Sequence, residues 1–116
     1  MTRSEISQYY YLKREAENAD SLACELEKKL DGLHGENRDF VRKQIQKQLE
    51  KRERCLKMHE QIEEFIENVN DSLIRQVLFE RYIRGKSWTA VAMAVGGGNT
   101  PDGVRKTADR FFAREG

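Results

Sequence analysis

Proline interrupts this chain once in 116 residues, at Pro101. A sequence with so few helix breakers can run in long helices. Glycine supplies most of the remaining punctuation. Gly32 and Gly35, with Asn37, mark one break, Gly85 marks another, and Gly96, Gly97 and Gly98 mark a third. Hydrophobic residues make up 38% of the chain and charged residues 35%. That polar balance suits long exposed helices or an oligomer better than a compact globule. The length fits one domain, or a small domain with a long helical appendage.

The first helix is expected from about Ser4 to about Leu30. Thr2 and Glu5 have the spacing of a capping box, in which each side chain satisfies a backbone donor of the other. Leu12, Ala16, Ala19, Ala23, Leu26, Leu30 and Leu33 alternate in steps of four and three, which makes a heptad seam. Its alanines keep it narrow, so a partner helix can approach closely. The glycine-rich turn around Gly35 then leads into a second helix, expected from about Arg38 to about Val69. That helix carries Val41, Ile45, Leu49, Leu56, Ile62, Phe65, Ile66 and Val69, with Gln48 and Arg52 weakening the middle of its stripe. Two helices of similar length joined by a short turn form an antiparallel hairpin. At about 1.5 Å per residue each arm reaches roughly 40 Å. The hairpin, residues 1–70, is expected to oligomerise, with a homodimer favoured, or to dock on another protein. Burial of the two stripes on each other within one chain is the alternative.

Residues 71–116 read differently. Asn70 or Asp71 can cap a helix running from Ser72 to Arg84, which Gly85 ends. Ser87 can cap the next helix. Thr100 can cap the last, with Pro101 at its first position, where the missing N–H costs nothing. Three short helices, a glycine turn and cations on the last helix form the pattern of a helix-turn-helix. Its core is expected from Leu73, Val77, Leu78, Trp88, Val91, Ala92, Val95, Val104, Ala108 and one of Phe111 and Phe112. Charge divides in the same way. Residues 1–70 hold 13 basic and 15 acidic residues, whereas residues 71–116 hold 8 and 5. The surplus of cations therefore lies on the helix-turn-helix segment, which favours contact with nucleic acid. The fold class is all-α: a long, coiled-coil-like helical hairpin followed by a three-helix module.

The last helix divides into a buried face of Val104, Ala108 and Phe111 and an opposite face of Asp102, Arg105, Lys106, Asp109 and Arg110. Arg105 stands one turn in, where a guanidinium in the major groove can bind guanine bidentately. Lys106 and Arg110 can do the same or hold phosphates. Asn99, Thr100 and the helix start can meet a backbone phosphate. Gly103 is expected to let that start approach DNA closely. Arg84, Lys86 and Thr89 can clamp the flanking backbone. Gly96 to Gly98 make a loop longer than the tightest turns of this kind, which implies a mobile recognition helix.

These residues carry a family resemblance. Asp71 to Val77, Arg81-Tyr82-Ile83, Gly85 to Trp88, Val91-Ala92, Gly96 to Thr100, Val104-Arg105 and Arg110-Phe111 resemble small phage and prophage proteins. Those proteins join a charged helical segment to a module similar to region 4 of sigma-70 factors. The phage late-gene activators of the ArpU and RinA type are similar in outline. Over residues 1–70 the likeness extends only to general character. The resemblance implies binding of double-stranded, promoter-like DNA, transcriptional control and contact with RNA polymerase, with element-reading positions at Thr100 and from Arg105 to Arg110. It also implies a phage or prophage origin in a bacterial cytoplasm. A small terminase-like packaging subunit would combine the same two parts. An adaptor that docks on polymerase without reading DNA is the rival of a different class.

Catalytic chemistry is not expected. His34 and His59 lack a nucleophile beside them, Cys55 and His59 make at most half a metal site, and the triple glycine lacks the lysine and strand of a phosphate loop. No enzyme, cofactor or metal role is therefore expected. Cys24 and Cys55 fall far apart across the hairpin, with Cys55 opposite residues near 15, and both are expected as buried free thiols. The absence of a long apolar run or an apolar leader core points to a soluble intracellular chain without membrane contact.

Overall fold

The computed structural model describes residues 1–115, and all their regular structure is helical. The elements are α1 (Arg3–Ile6), α2 (Tyr9–Lys29), α3 (Gly35–Glu67), α4 (Ser72–Leu78), α5 (Trp88–Val95) and α6 (Pro101–Glu115). They form two compact units. One is Tyr11–His59; the other combines Met1–Tyr10 with the chain from Glu60 onward. The division therefore does not fall at residue 70, and helices α4 to α6 share their unit with the first ten residues and the last turns of α3. No described helix is long and apolar enough to cross a membrane.

In the Tyr11–His59 unit, α2 and α3 run antiparallel. A 3₁₀ turn at Leu30–Gly32 closes with Leu33 N–H on Leu30 C=O, and Gly35, at φ +57°, turns the chain into α3. The alanine seam is buried within this single chain, at Ala16, Ala19 and Ala23, along with Ile45 and Cys55 of α3. Gln48 and Arg52, the weak points of the α3 stripe, lie half-buried in line with Val41, Ile45 and Cys55. Half-buried Arg52 sends its guanidinium to Asp20 at 2.7 Å and Glu53 at 3.1 Å. Lys51 meets Glu15 at 3.2 Å. Small residues on one arm thus leave room for long, outward-reaching ones on the other. Cys55 is buried opposite Glu15, and burial pushes its thiol pKa up, with the Glu15 charge adding to the rise. Cys24 is instead exposed. It follows Ala23 by one residue, and a helix turns about 100° per residue, so it leaves the seam.

The other unit begins with a correction to the first helix. The Thr2–Glu5 capping box is present, but α1 ends at Ile6. Ser7 Oγ donates to Arg3 C=O at 2.8 Å, a local bond that competes with helix continuation, and α2 starts afresh at Tyr9. This short turn buries Ile6 completely. It also sets the Arg3 guanidinium 4.8 Å over the Phe112 ring and 2.5 Å from Asp109. Ile62, Ile66, Val77, Leu78, Val91, Ala92, Val104, Ala108, Phe111 and Phe112 complete the core.

Four sequence expectations for this core change. Leu73 is 39% exposed, and Ile74 takes the inward position. Val95 and Trp88 are only half-buried, and Arg81 covers the indole at 4.5 Å. Both phenylalanines are buried, not one. Phe111 meets Phe65 and Phe112 meets the edge of Tyr82, with centroids 6.1 and 5.8 Å apart. Finally, the helix begun at Ser72, capped by Asp71, does not stay α-helical to Arg84. After Leu78 it widens into a π turn, Phe79–Ile83, in which Arg84 N–H reaches back to Phe79 C=O. Gly85 then ends it at φ +68°.

Candidate nucleic-acid interface

The segment α4 to α6 is built from its caps inward. Ser87 Oγ accepts from Ala90 N–H at 3.2 Å and starts α5. Gly96 ends α5 at φ +65°, ψ −150°, a conformation open almost only to glycine. Gly97 and Gly98 continue with positive φ. Asn99 ties the turn shut, its Nδ2 donating to Gly96 C=O at 2.7 Å and its N–H to the same oxygen at 3.2 Å. The glycine run thus follows one hydrogen-bonded path. Thr100 Oγ1 then accepts from Gly103 N–H at 3.0 Å and caps α6.

Gly103 has a local task beyond any approach to DNA. A Cβ there would stand 3.0 Å from Thr100 Oγ1, tighter than ordinary contact, so the missing side chain makes room for the cap. Thr100→Ala should cost about 1 kcal/mol of unfolding free energy. The double variant Thr100→Ala/Gly103→Ala should recover most of it, since the hydroxyl is gone and alanine gains roughly 1 kcal/mol over glycine in a helix. Denaturant unfolding of both variants measures this. A double variant no more stable than the single one would show that the contact does not govern the choice of glycine.

The face of α6 opposite Val104, Ala108 and Phe111 carries Asp102, Arg105, Lys106, Asp109 and Arg110, all exposed. Its charges are organised in pairs. Asp102 Oδ1 takes Arg105 at 2.6 Å, and its Oδ2 takes Lys106 at 3.0 Å. The Arg105 hydrogen bond, and after it that of Lys106, holds the Asp102 carboxyl below its ordinary pKa. Asp109 is matched by Arg3. Arg110 is exposed and stands beside Ile74, Thr107, Ala113 and Arg114 at the rim of a shallow groove.

Arg105, Lys106 and Arg110 thus share the exposed side of one helix, and Thr100 stands at its start. Thr89 is exposed in the first turn of α5. Two of the expected contacts are otherwise engaged. Asn99 is half-buried and fastens the turn, and Lys86 is 2.6 Å from the half-buried carboxylate of Glu80. Glu80 lies in the π turn, and Lys86 N–H also reaches its C=O at 3.1 Å. Arg84 leans over Phe79 at 5.5 Å.

Arg3 is the residue that sequence reasoning misses. It neutralises an acid on the α6 face from 106 positions away, and no local pattern signals that. The Asp102 pairs, by contrast, are visible in the sequence as acid-to-base spacings of three and four. No family model, curated protein or solved structure matches the chain.

Proposed function

We propose that this chain is a sequence-specific, double-stranded DNA-binding protein that regulates transcription, with α6 as its recognition helix in the major groove. One observation carries the reading. A capped helix, anchored by Val104, Ala108, Phe111 and Phe112, presents Arg105, Lys106 and Arg110 together on its exposed face. Guanidinium and ammonium groups so placed suit guanine edges and phosphates. The sequence resemblance to phage proteins with a sigma region-4-like module points the same way and gives promoter-like DNA as the target class. A homodimer through the hairpin belongs to this reading. It would set two α6 helices on half-sites about one DNA turn apart.

Selection of bacterial and phage DNA fragments by the purified protein at physiological salt tests the reading. Enrichment of a few promoter-proximal sites is expected, with half-site spacing reporting the dimer. Arg105→Ala/Arg110→Ala should weaken binding to those sites at least about tenfold, as loss of a base-edge contact costs roughly 1–3 kcal/mol. Enrichment at a packaging site would favour the terminase-like role. A folded wild type that selects no fragment would sink DNA reading and leave the adaptor.

A further inference from the structure

The exposed face of α6 has a feature that DNA binding alone does not call for: its leading cations come with a carboxylate attached. Asp102 lies 2.6 Å from Arg105 and 3.0 Å from Lys106, one carboxylate oxygen to each. All three side chains are more than half exposed, so the triad sits on the surface that would approach a duplex. We propose that Asp102 is a specificity-determining residue: by holding Arg105 and Lys106 in a partly neutralised triad, it suppresses binding to non-cognate DNA. The inference rests on the DNA-reading function proposed above.

The physical basis is charge placement, not the strength of the ion pairs. Exposed pairs of this kind are weak, and solvent competes with them freely. Yet the carboxylate is fixed one helical turn from both cations and travels with them to any duplex. Binding without base readout comes almost wholly from cations that displace counterions at phosphates. Two cations sharing one anion release fewer counterions than two free cations. At a cognate site, directed bonds to base edges offset this penalty; elsewhere nothing does. Asp109 is paired with Arg3 and acts on Arg105 less than Asp102 does, through its charge alone. Arg110 lies further round the helix, outside the triad.

Asp102→Asn keeps the shape and removes the charge. With a random-sequence duplex of about 20 base pairs as probe, the variant should bind about tenfold tighter at low salt, and its plot of log affinity against log salt should be steeper by about one to two. The ratio of selected-site to random-site affinity should fall. The same substitution in an Arg105→Gln/Lys106→Gln background separates the triad from a bare change of net charge. There the gain in affinity and slope should largely vanish. Circular dichroism of each variant checks folding.

A wild type that binds DNA with an Asp102→Asn variant of unchanged or weaker random-site affinity would overturn the inference and leave the proposed function standing. A gain that persists undiminished without Arg105 and Lys106 would also overturn it, because the charge would then act without the triad. If neither wild type nor variant retains any duplex at low salt, DNA reading itself falls, and this inference with it.

Discussion

Replacing Phe112 with alanine should destabilise the unit that holds α4 to α6 by about 3–5 kcal/mol, the range for large buried aromatics. The ring is 8% exposed and touches three groups from three parts of the chain. Tyr82, from the π turn, meets it edge-on at 5.8 Å; Phe111 lies 5.4 Å away in α6; the Arg3 guanidinium covers it at 4.8 Å. Aromatic pairs add roughly 0.5–1.5 kcal/mol beyond area burial, so the loss should fall in the upper part of that range. Phe79 provides the contrast, since it is 38% exposed, with Arg84 leaning over its ring. Phe79→Ala should cost under about 1 kcal/mol, as surface changes usually do. Denaturant unfolding compares the two variants directly. Equal losses would mean that Phe112 does not organise this core. The α6 cations would also suffer, since they sit on the helix that Phe112 anchors.

Ile6→Ala should have an effect of the same order, about 2–5 kcal/mol, even though Ile6 lies outside the helix-turn-helix pattern. The side chain has no solvent-exposed area and belongs to the same compact unit as α4, α5 and α6. For a unit of this size the melting temperature should fall by at least about 8 °C. Arg3→Ala should cost less, because its ion pair and ring contact are both partly exposed. A fragment starting at residue 71 lacks Ile6, Ile62, Ile66 and Phe65. It should therefore unfold far more readily than the full chain. A fragment melting like the full chain would show that the first ten residues only decorate this unit.

Much of the fold is legible in the sequence where one local signal decides the outcome. The caps at Thr2, Asp71, Ser87 and Thr100 each need one oxygen a few residues before a free N–H, and each forms. The alanine seam is a repeat, and it buries as a repeat. What escapes has no local trace. Four helical residues around Ile6 are too few to show a period, and Arg3 finds Asp109 only through the tertiary fold. The π turn inserts one residue into a pattern that reads as continuous α-helix. It thereby changes which faces Glu80, Arg81 and Tyr82 present. For the interface, the exposed face of α6 is readable from its period, whereas Lys86 pairs with Glu80, a residue of that same π turn.

The contact between Arg3 and Asp109 bears on the order in which this protein assembles. On the ribosome, both arms of the Tyr11–His59 unit emerge before α4, α5 and α6, so the hairpin can close early. Ile6 cannot. Its unit waits for α4, α5 and α6, and the remaining chain takes several seconds to appear at about 5–20 residues per second. Through that interval an apolar side chain near the start of the chain stays in water, and the loop that finally encloses it is nearly as long as the protein. Refolding should therefore show two phases, a fast one for the hairpin and a slower one for the unit that holds α6.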